Sequence, residues 1–184
     1  MNARLLHVSD LHVGTHEERE VERGLAQLVE RMEPQLVVAS GDLAHRGRRE
    51  ELERGAALLR SLGPPVLAVP GNHDLPYTPA RIVRPWAEFE RVWETTEPTA
   101  SSPGLHVVGL NSARPFRQQG GALSAAQLER AAAAVCEIAR RDDDFRLQSL
   151  DELRQRAPDF AVFMCTHVQV GYMEEPGVHD RTRL

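Results

Sequence analysis

Residues 36–42 read Leu-Val-Val-Ala-Ser-Gly-Asp, an apolar run that ends directly in a glycine and a carboxylate. An apolar run of this length, with no alternating polar residues, is typical of a strand that is buried on both faces. Comparable runs rich in Val or Leu occupy residues 5–9, 66–69, 106–110 and 160–165. The sequence therefore predicts five strands.

Segments with the period of an amphipathic helix lie between these runs, at residues 18–32, 49–61, 87–94, 124–140 and 150–155. The fourth of them begins with Ser124-Ala125-Ala126-Gln127, which fits a capping box. Residues 95–103, rich in Thr, Ser and Pro, are predicted to form a loop. Strands that alternate with helices predict the α/β class, with βαβ units in which both faces of the sheet are covered.

The length and composition of the chain are those of an ordinary globular protein. A chain of 184 residues can bury one sizeable core, so residues 1–184 are predicted to form a single domain. The net charge of -5 gives no general attraction for a phosphate backbone, so nucleic acid is not indicated as a partner. The apolar run at residues 5–8 is too short for a signal peptide or a membrane span. A cytoplasmic location without membrane attachment is therefore predicted.

Three of the predicted strands are followed at once by residues of the types that bind metals. Asp10 and His12 follow the first strand, and Asp42 follows the second. The third strand leads into Asn72 and His73. In open α/β sheets, ligands collect just outside the carboxyl ends of the strands. We therefore expect the three loops to converge on one crevice.

The ligand types in this crevice fit a pair of divalent cations. Asp10 and His12 are one residue apart, so on an extended strand end both side chains can turn to the same side and bind one ion. The carboxylate of Asp42 has two oxygens and can bridge two ions, while Asn72 offers a neutral oxygen. Mixed imidazole and carboxylate ligands favour Mn, Fe or Zn over Ca. Two such ions about 3.5–4 Å apart can hold a phosphate and activate a water for in-line attack.

Each of these fragments, taken alone, also fits an ordinary turn. Pro, Gly, Asn and Asp are all common turn formers, and they make up most of residues 70–74. The three fragments occur in order and each lies at a strand end. Their joint occurrence favours a metal site over three unrelated turns.

The same motifs resemble those of the calcineurin-like metallophosphoesterase superfamily. Asp10-Leu11-His12 matches its first motif, Gly41-Asp42 its second, and Gly71-Asn72-His73-Asp74 its third. Residues 41–47 are close to the Gly-Asp-Leu-x-x-Arg-Gly pattern of the family, and the likeness extends from residue 4 to about residue 140. Residues 110–115 and 120–124 are similar to the branch that holds bacterial cyclic-nucleotide phosphodiesterases and related small phosphodiesterases.

The resemblance implies a four-layer α-β-β-α sandwich with a dinuclear metal centre that hydrolyses phosphoesters, with phosphodiesters favoured. The substrate it implies is a small phosphoester, with nucleotides among the candidates. The roles of the matching positions in the family imply that Asp10 and His12 hold the first metal, that Asp42 bridges the two metals, and that Asn72 holds the second. His73 contacts the phosphate and either protonates the leaving oxygen or stabilises the developing charge. Asp74 orients the His73 ring.

The C-terminal part of the sequence departs from the family pattern. His167 stands where the fourth motif of the family has a His, but the Pro that usually follows is missing, so it is either a second-site ligand or a strand-end His. The Gly-His-x-His motif does not occur in the 184 residues, and His179 is either a tail residue or a substitute. We therefore expect a shortened member, with a divergent end at residues 141–184, that binds no more than one ion tightly. The alternatives are a non-catalytic member and a chain completed by a partner.

The sequence allows two interpretations for each of two residues beside the second motif. His45 either contacts the substrate or its water, or is a solvated loop histidine. Arg46 either faces the phosphate, for which a guanidinium is well suited, or pairs with a carboxylate.

Overall fold

The computed structural model describes residues 4–15, 18–102, 105–117, 120–141 and 161–165. None of the helices in these ranges is long and apolar enough to cross a membrane. The elements follow in the order β1 (Leu5–Val8), α1 (Glu18–Met32), β2 (Leu36–Ser40), α2 (Arg49–Ser61), β3 (Val66–Val69), α3 (Ala80–Val83), α4 (Ala87–Trp93), β4 (Thr99–Ser102), β5 (Leu105–Gly109), α5 (Ala125–Arg141) and β6 (Ala161–Cys165).

The first sheet consists of β1, β2 and β3 in that order, and all its strands are parallel. Leu6 pairs with Val37, and Val38 pairs with Leu67. Because the three strands run in the same direction, their carboxyl ends lie at one edge of the sheet. The loops that carry the predicted metal ligands all begin at this edge.

The second sheet has the order β4-β5-β6, with β4 antiparallel to β5 and β5 parallel to β6. The prediction of a loop at residues 95–103 is wrong, because Thr99 pairs with Val108 and Ser102 with Leu105. The Thr-Ala-Ser-Ser sequence of β4 has no apolar run, so pairing with β5 makes this strand. The short helix α3 was also not predicted, and the helix predicted at residues 150–155 lies outside the described residues.

Three apolar clusters define the layers of the fold. The first lies between the first sheet and helices α1, α2 and α4, and includes Leu25, Leu52, Leu59, Phe89, Leu6 and Ala39. The second lies between the two sheets and consists of Leu36, Val38, Leu67, Val69, Leu105 and Val107. The third joins the outer face of β5 and the residue that follows it to α5, through Val108, Leu110 and Ala131. The fold is therefore the α-β-β-α sandwich that the resemblance implied.

The strand β2 shows how both faces of the first sheet are covered, as the βαβ pattern predicted. Leu36 and Val38 face the second sheet, while Val37 and Ala39 face the helices. Both faces are buried, but only one of them is buried by helices. Gly109 of β5 lies so close to Val69 of β3 that an added Cβ would stand 2.6 Å from a Val69 methyl carbon. The two sheets therefore pack directly on each other.

Backbone hydrogen bonds continue from β1 and β2 into the loops that follow them. The amide of Asp10 donates to the carbonyl of Gly41 (3.1 Å), and the amide of His12 donates to the carbonyl of Asp42 (3.0 Å). A further parallel bridge pairs Val13 with Ala44. The first two loops are thus held side by side by backbone contacts alone.

The carboxylate of Asp74 ties the third loop to the second. This residue is 1% exposed, and its Oδ1 accepts a hydrogen bond from the amide of Ala44 (2.8 Å) while its Oδ2 accepts one from the amide of Gly71 (2.8 Å). A carboxylate that accepts from backbone amides forms charge-assisted hydrogen bonds, which offset the cost of its burial. Asp74 therefore fixes the distance between the loops that follow β2 and β3.

We expect Asp74→Asn to destabilise the fold. The side-chain NH2 group of the asparagine would face the backbone amide of either Ala44 or Gly71, and two donors cannot bond each other. The free energy of unfolding should fall by about 1–3 kcal/mol, the range for a buried polar group left without its partner. Urea denaturation without added metal measures this change. The control is Glu33→Gln, which removes an exposed carboxylate paired with Arg4 and should change stability by no more than about 0.5 kcal/mol. Equal effects of the two substitutions would show that Asp74 does not hold the loops.

Candidate metal centre

The loops after β1 and β2 bring three of the predicted metal ligands together. Asp10, His12 and Asp42 each offer one ligand atom, and these atoms lie within 4.8 Å of one another. Asp42 is 1% exposed, whereas the Asp10 side chain is 56% exposed. The group thus has a buried carboxylate at its base and an accessible one at its rim, so an ion could enter from solvent.

Asp10 and His12 meet through a backbone geometry that differs from the extended strand end predicted from their spacing. Oδ1 of Asp10 lies 3.8 Å from Nε2 of His12. Both residues are left-handed, with φ of 57° and 44°, and Asp42 is left-handed as well, with φ of 52°. Non-glycine residues rarely adopt this conformation, and such residues cluster at functional sites.

Two buried atoms in the loops are of the types that bind metal ions. Oδ1 of Asn72 and Nδ1 of His12 are both buried, and neither has a hydrogen-bond partner among the described residues. A buried polar atom without a partner costs about 1–3 kcal/mol. A divalent cation accepts electron pairs from atoms of these two types, so the residues present fit a metal centre.

Burial lowers the pKa of the His12 imidazole. The neighbouring rings of His73 and His45 lower it further, and the carboxylates of Asp42 and Asp10 oppose the shift without cancelling it. A lowered pKa keeps the imidazole neutral at physiological pH, and the neutral imidazole is the form that binds metals.

His73 is held over the site by its backbone and by its ring. Its amide donates to Oδ1 of Asp42 (2.8 Å), and its Nδ1 lies 2.8 Å from the carbonyl oxygen of His45. Because a carbonyl can only accept, Nδ1 carries the proton and donates it, which leaves Nε2 for other partners. The Tyr77 hydroxyl lies 3.2 Å from the same Nδ1. The role of Asp74 in orienting this ring stays a prediction, since its described hydrogen bonds are with backbone amides.

His45 belongs to the site, although its sequence position left its role open. Its half-buried ring lies 6.0 Å from the His12 ring and 6.1 Å from the His73 ring, measured between centroids. The His12 and His73 rings are 4.7 Å apart. The three imidazoles form a second group whose ligand atoms lie within 4.8 Å of one another. The only sequence signal for this placement is the position of His45, three residues after Asp42 in the same loop.

Arg81 supports the third loop, a role that was not predicted from the sequence. Its Nε donates to the carbonyl of Pro115 (2.7 Å), and its Nη1 lies 3.4 Å from the carbonyl of Asn72. Its guanidinium also stands 5.8 Å from the centre of the Tyr77 ring. Arg81 therefore braces the backbone of the loop at Asn72.

Two of the histidines considered from the sequence, His167 and His179, lie outside the described residues. Arg46 is described: its side chain is exposed and forms no ion pair with another described residue. The carboxylate partner that the sequence allowed for Arg46 is therefore not found in the described part of the chain.

Solved structures with the same architecture are phosphatases. A dimetal phosphatase from Danio rerio has a TM-score of 0.56 at 15% identity, and the match covers 90% of this chain and 69% of that one. A purple acid phosphatase from yellow lupin (Lupinus luteus) seeds has a TM-score of 0.54 at 11% identity, covering 75% and 28% of the two chains. At these identities the likeness bears on the fold alone.

Sequence comparison bears on the family of the chain, beyond its fold. Glycerophosphodiester phosphodiesterase GpdQ from Enterobacter lignolyticus is 35% identical over 80 residues, which cover 38% of this chain and 29% of that protein. The match to this relative therefore spans less than a third of its length. The model of the calcineurin-like phosphoesterase family matches residues 3–171, which include all three motifs of the centre. The chain belongs to the calcineurin-like phosphoesterase family.

Proposed function

We propose that this protein hydrolyses small phosphodiesters with the help of two divalent metal ions. The observation that carries the proposal is the meeting of Asp10, His12 and Asp42 at one sheet edge, with the Asp42 carboxylate bonded to the amide of His73. The relative GpdQ is a glycerophosphodiester phosphodiesterase, which supports a diester over a monoester. A nucleotide ester remains within this substrate class.

The proposed metal ligands fall into two groups, one for each ion. Asp10 and His12 would hold the first ion, Asp42 would serve both, and Asn72 would hold the second through its buried Oδ1. When bound, such ions supply positive charge at the phosphoryl oxygens and a water nucleophile at neutral pH. The mixed oxygen and nitrogen donors favour Mn, Fe or Zn.

The chain itself contributes a positioned imidazole. The Nδ1 proton of His73 is held by the His45 carbonyl, so the ring cannot turn freely and Nε2 keeps one direction. In its protonated form, Nε2 donates a hydrogen bond to a phosphoryl oxygen or a proton to the leaving oxygen. The same side chain therefore serves charge stabilisation or acid catalysis without rearranging.

We expect Asp42→Asn to abolish Mn-dependent hydrolysis of bis(4-nitrophenyl) phosphate. A neutral amide with one oxygen donor cannot bridge two cations, so the metal content per chain should fall together with turnover. Release of 4-nitrophenolate and metal analysis after gel filtration measure the two effects. Glu53→Gln, which removes an exposed carboxylate on α2, is the control and should leave both unchanged.

Wild-type turnover and metal content in Asp42→Asn would rule out the bridging role. Metal binding by the wild type without any turnover would instead favour a non-catalytic member of the family.

We expect His73→Asn to lower kcat by about 10²–10⁴ and to leave the metal content unchanged, since losing a positioned acid or charge stabiliser has this effect. The assay and the metal analysis are those used for Asp42. His106→Asn, a histidine substitution on β5 away from the centre, is the matched control. If His73→Asn lost metal, His73 would belong among the ligands.

A further inference from the structure

A cavity of about 510 Å³ opens beside the centre, between the loops that follow β2 and β3. It is lined by Arg46, Gly47, Arg48, Pro76, Tyr77 and Thr78. The Tyr77 hydroxyl lies 3.2 Å from Nδ1 of His73, so the cavity adjoins the imidazole proposed to contact the phosphate. This volume is that of a site for a small organic molecule.

The charge of this cavity is positive. Two of its six lining residues are arginines and none is acidic. The carboxylate closest to them is that of Glu51, which accepts hydrogen bonds from the backbone amides of Arg46 (2.7 Å) and Arg48 (3.3 Å). The Arg48 guanidinium itself only reaches 3.9 Å from Glu51, and its side chain is 66% exposed. Arg48 can therefore offer its fork of donors to a ligand in the cavity.

The Tyr77 side of the cavity contacts neighbouring segments. The Arg81 guanidinium stands 5.8 Å from the centre of the Tyr77 ring, and Arg81 is in turn bonded to the carbonyl of Pro115. At Gly47 the loop passes so close to the backbone of Leu75 that an added Cβ would overlap the Leu75 carbonyl. The lining of the cavity thus includes an aromatic side chain and an exposed cationic one.

We infer that this cavity binds the organic arm of the phosphoester and prefers an arm that carries a second anionic group. Arg48 supplies the counter-charge, and the Tyr77 ring packs along the carbon chain of the arm. A guanidinium binds a carboxylate or phosphate through two parallel hydrogen bonds, so it distinguishes an anionic arm from a neutral one. The inference rests on the proposed function, because the phosphate of the ligand must lie at the metal centre.

The test compares two phosphate esters that differ in one group. 3-Phosphoglycerate carries a carboxylate where glycerol 3-phosphate carries a hydroxymethyl group. Calorimetric titration of the Mn-loaded protein should give an affinity about 10-fold higher for 3-phosphoglycerate, as expected for one hydrogen-bonded ion pair. In Arg48→Ala the two affinities should agree within about 2-fold, while Arg48→Lys should keep part of the preference because it keeps the charge.

Arg49→Ala is the matched control. Arg49 is the next residue along the chain, but it pairs with Glu53 at 2.7 Å and does not line the cavity. Its substitution should leave the preference unchanged, which separates a specific contact from the loss of one positive charge near the site. Far-ultraviolet circular dichroism of each variant checks that the fold is retained.

Several outcomes would overturn the inference: equal affinities in the wild type, a preference that survives in Arg48→Ala, or binding of neither ester. Hydrolysis of bis(4-nitrophenyl) phosphate, which has no second anionic group, is measured on the same preparation. Turnover without the carboxylate preference would defeat the inference and leave the proposed function standing. The carboxylate preference without turnover would defeat the proposed function and leave the inference standing.

Discussion

The buried carboxylate of Asp74 is the contact on which the geometry of the centre depends. It accepts hydrogen bonds from the amide of Gly71 in its own loop and from the amide of Ala44 in the loop after β2, so the two loops cannot separate without breaking the buried bond to Ala44. The same approach brings the amide of His73 to Oδ1 of Asp42. Gly71 permits this close approach of the two loops, because a Cβ at this position would overlap Asp42. The Asp42 carboxylate is therefore oriented by the third loop as well as by its own.

Strain at the centre is offset by the parallel pairing that precedes it. Asp10, His12 and Asp42 all adopt left-handed backbone conformations, each of which costs on the order of 1–3 kcal/mol for a residue with a side chain. The hydrogen bonds from Asp10 to Gly41 and from His12 to Asp42 continue the pairing of β1 with β2 beyond the strands. These contacts determine the conformation of both loops together. The side chains of Asp10, His12 and Asp42 therefore already lie close together in the fold.

Local sequence predicts the parts of this fold that local burial determines. The runs that became β1, β2 and β3 are apolar and end in polar loop residues, so the strands and the shared edge at Asp10 and Asp42 could be predicted. The strand β4 could not, because its Thr-Ala-Ser-Ser sequence has no apolar run and pairing with β5 makes it a strand. The capping box at Ser124 was confirmed, since the Ser124 hydroxyl accepts from the amide of Gln127 and the Gln127 side chain accepts from the amide of Ser124. The ring of His45 enters the site through the packing of three loops, and its position three residues after Asp42 is a weak sequence signal for this placement.

The loop at residues 45–48 contacts the metal centre and also lines the cavity, and Glu51 allows it to do both. Its buried carboxylate accepts from the amides of Arg46 and Arg48, which fixes the backbone of the loop, and its contact with the Arg48 guanidinium is a long one of 3.9 Å. A carboxylate that bonded the side chains instead would neutralise the cations that line the cavity. With the backbone fixed in this way, the His45 carbonyl points to Nδ1 of His73, while the arginines on either side of Gly47 remain available to a ligand. The imidazole at the centre and the charge of the cavity are thus positioned by one buried acidic residue that belongs to neither.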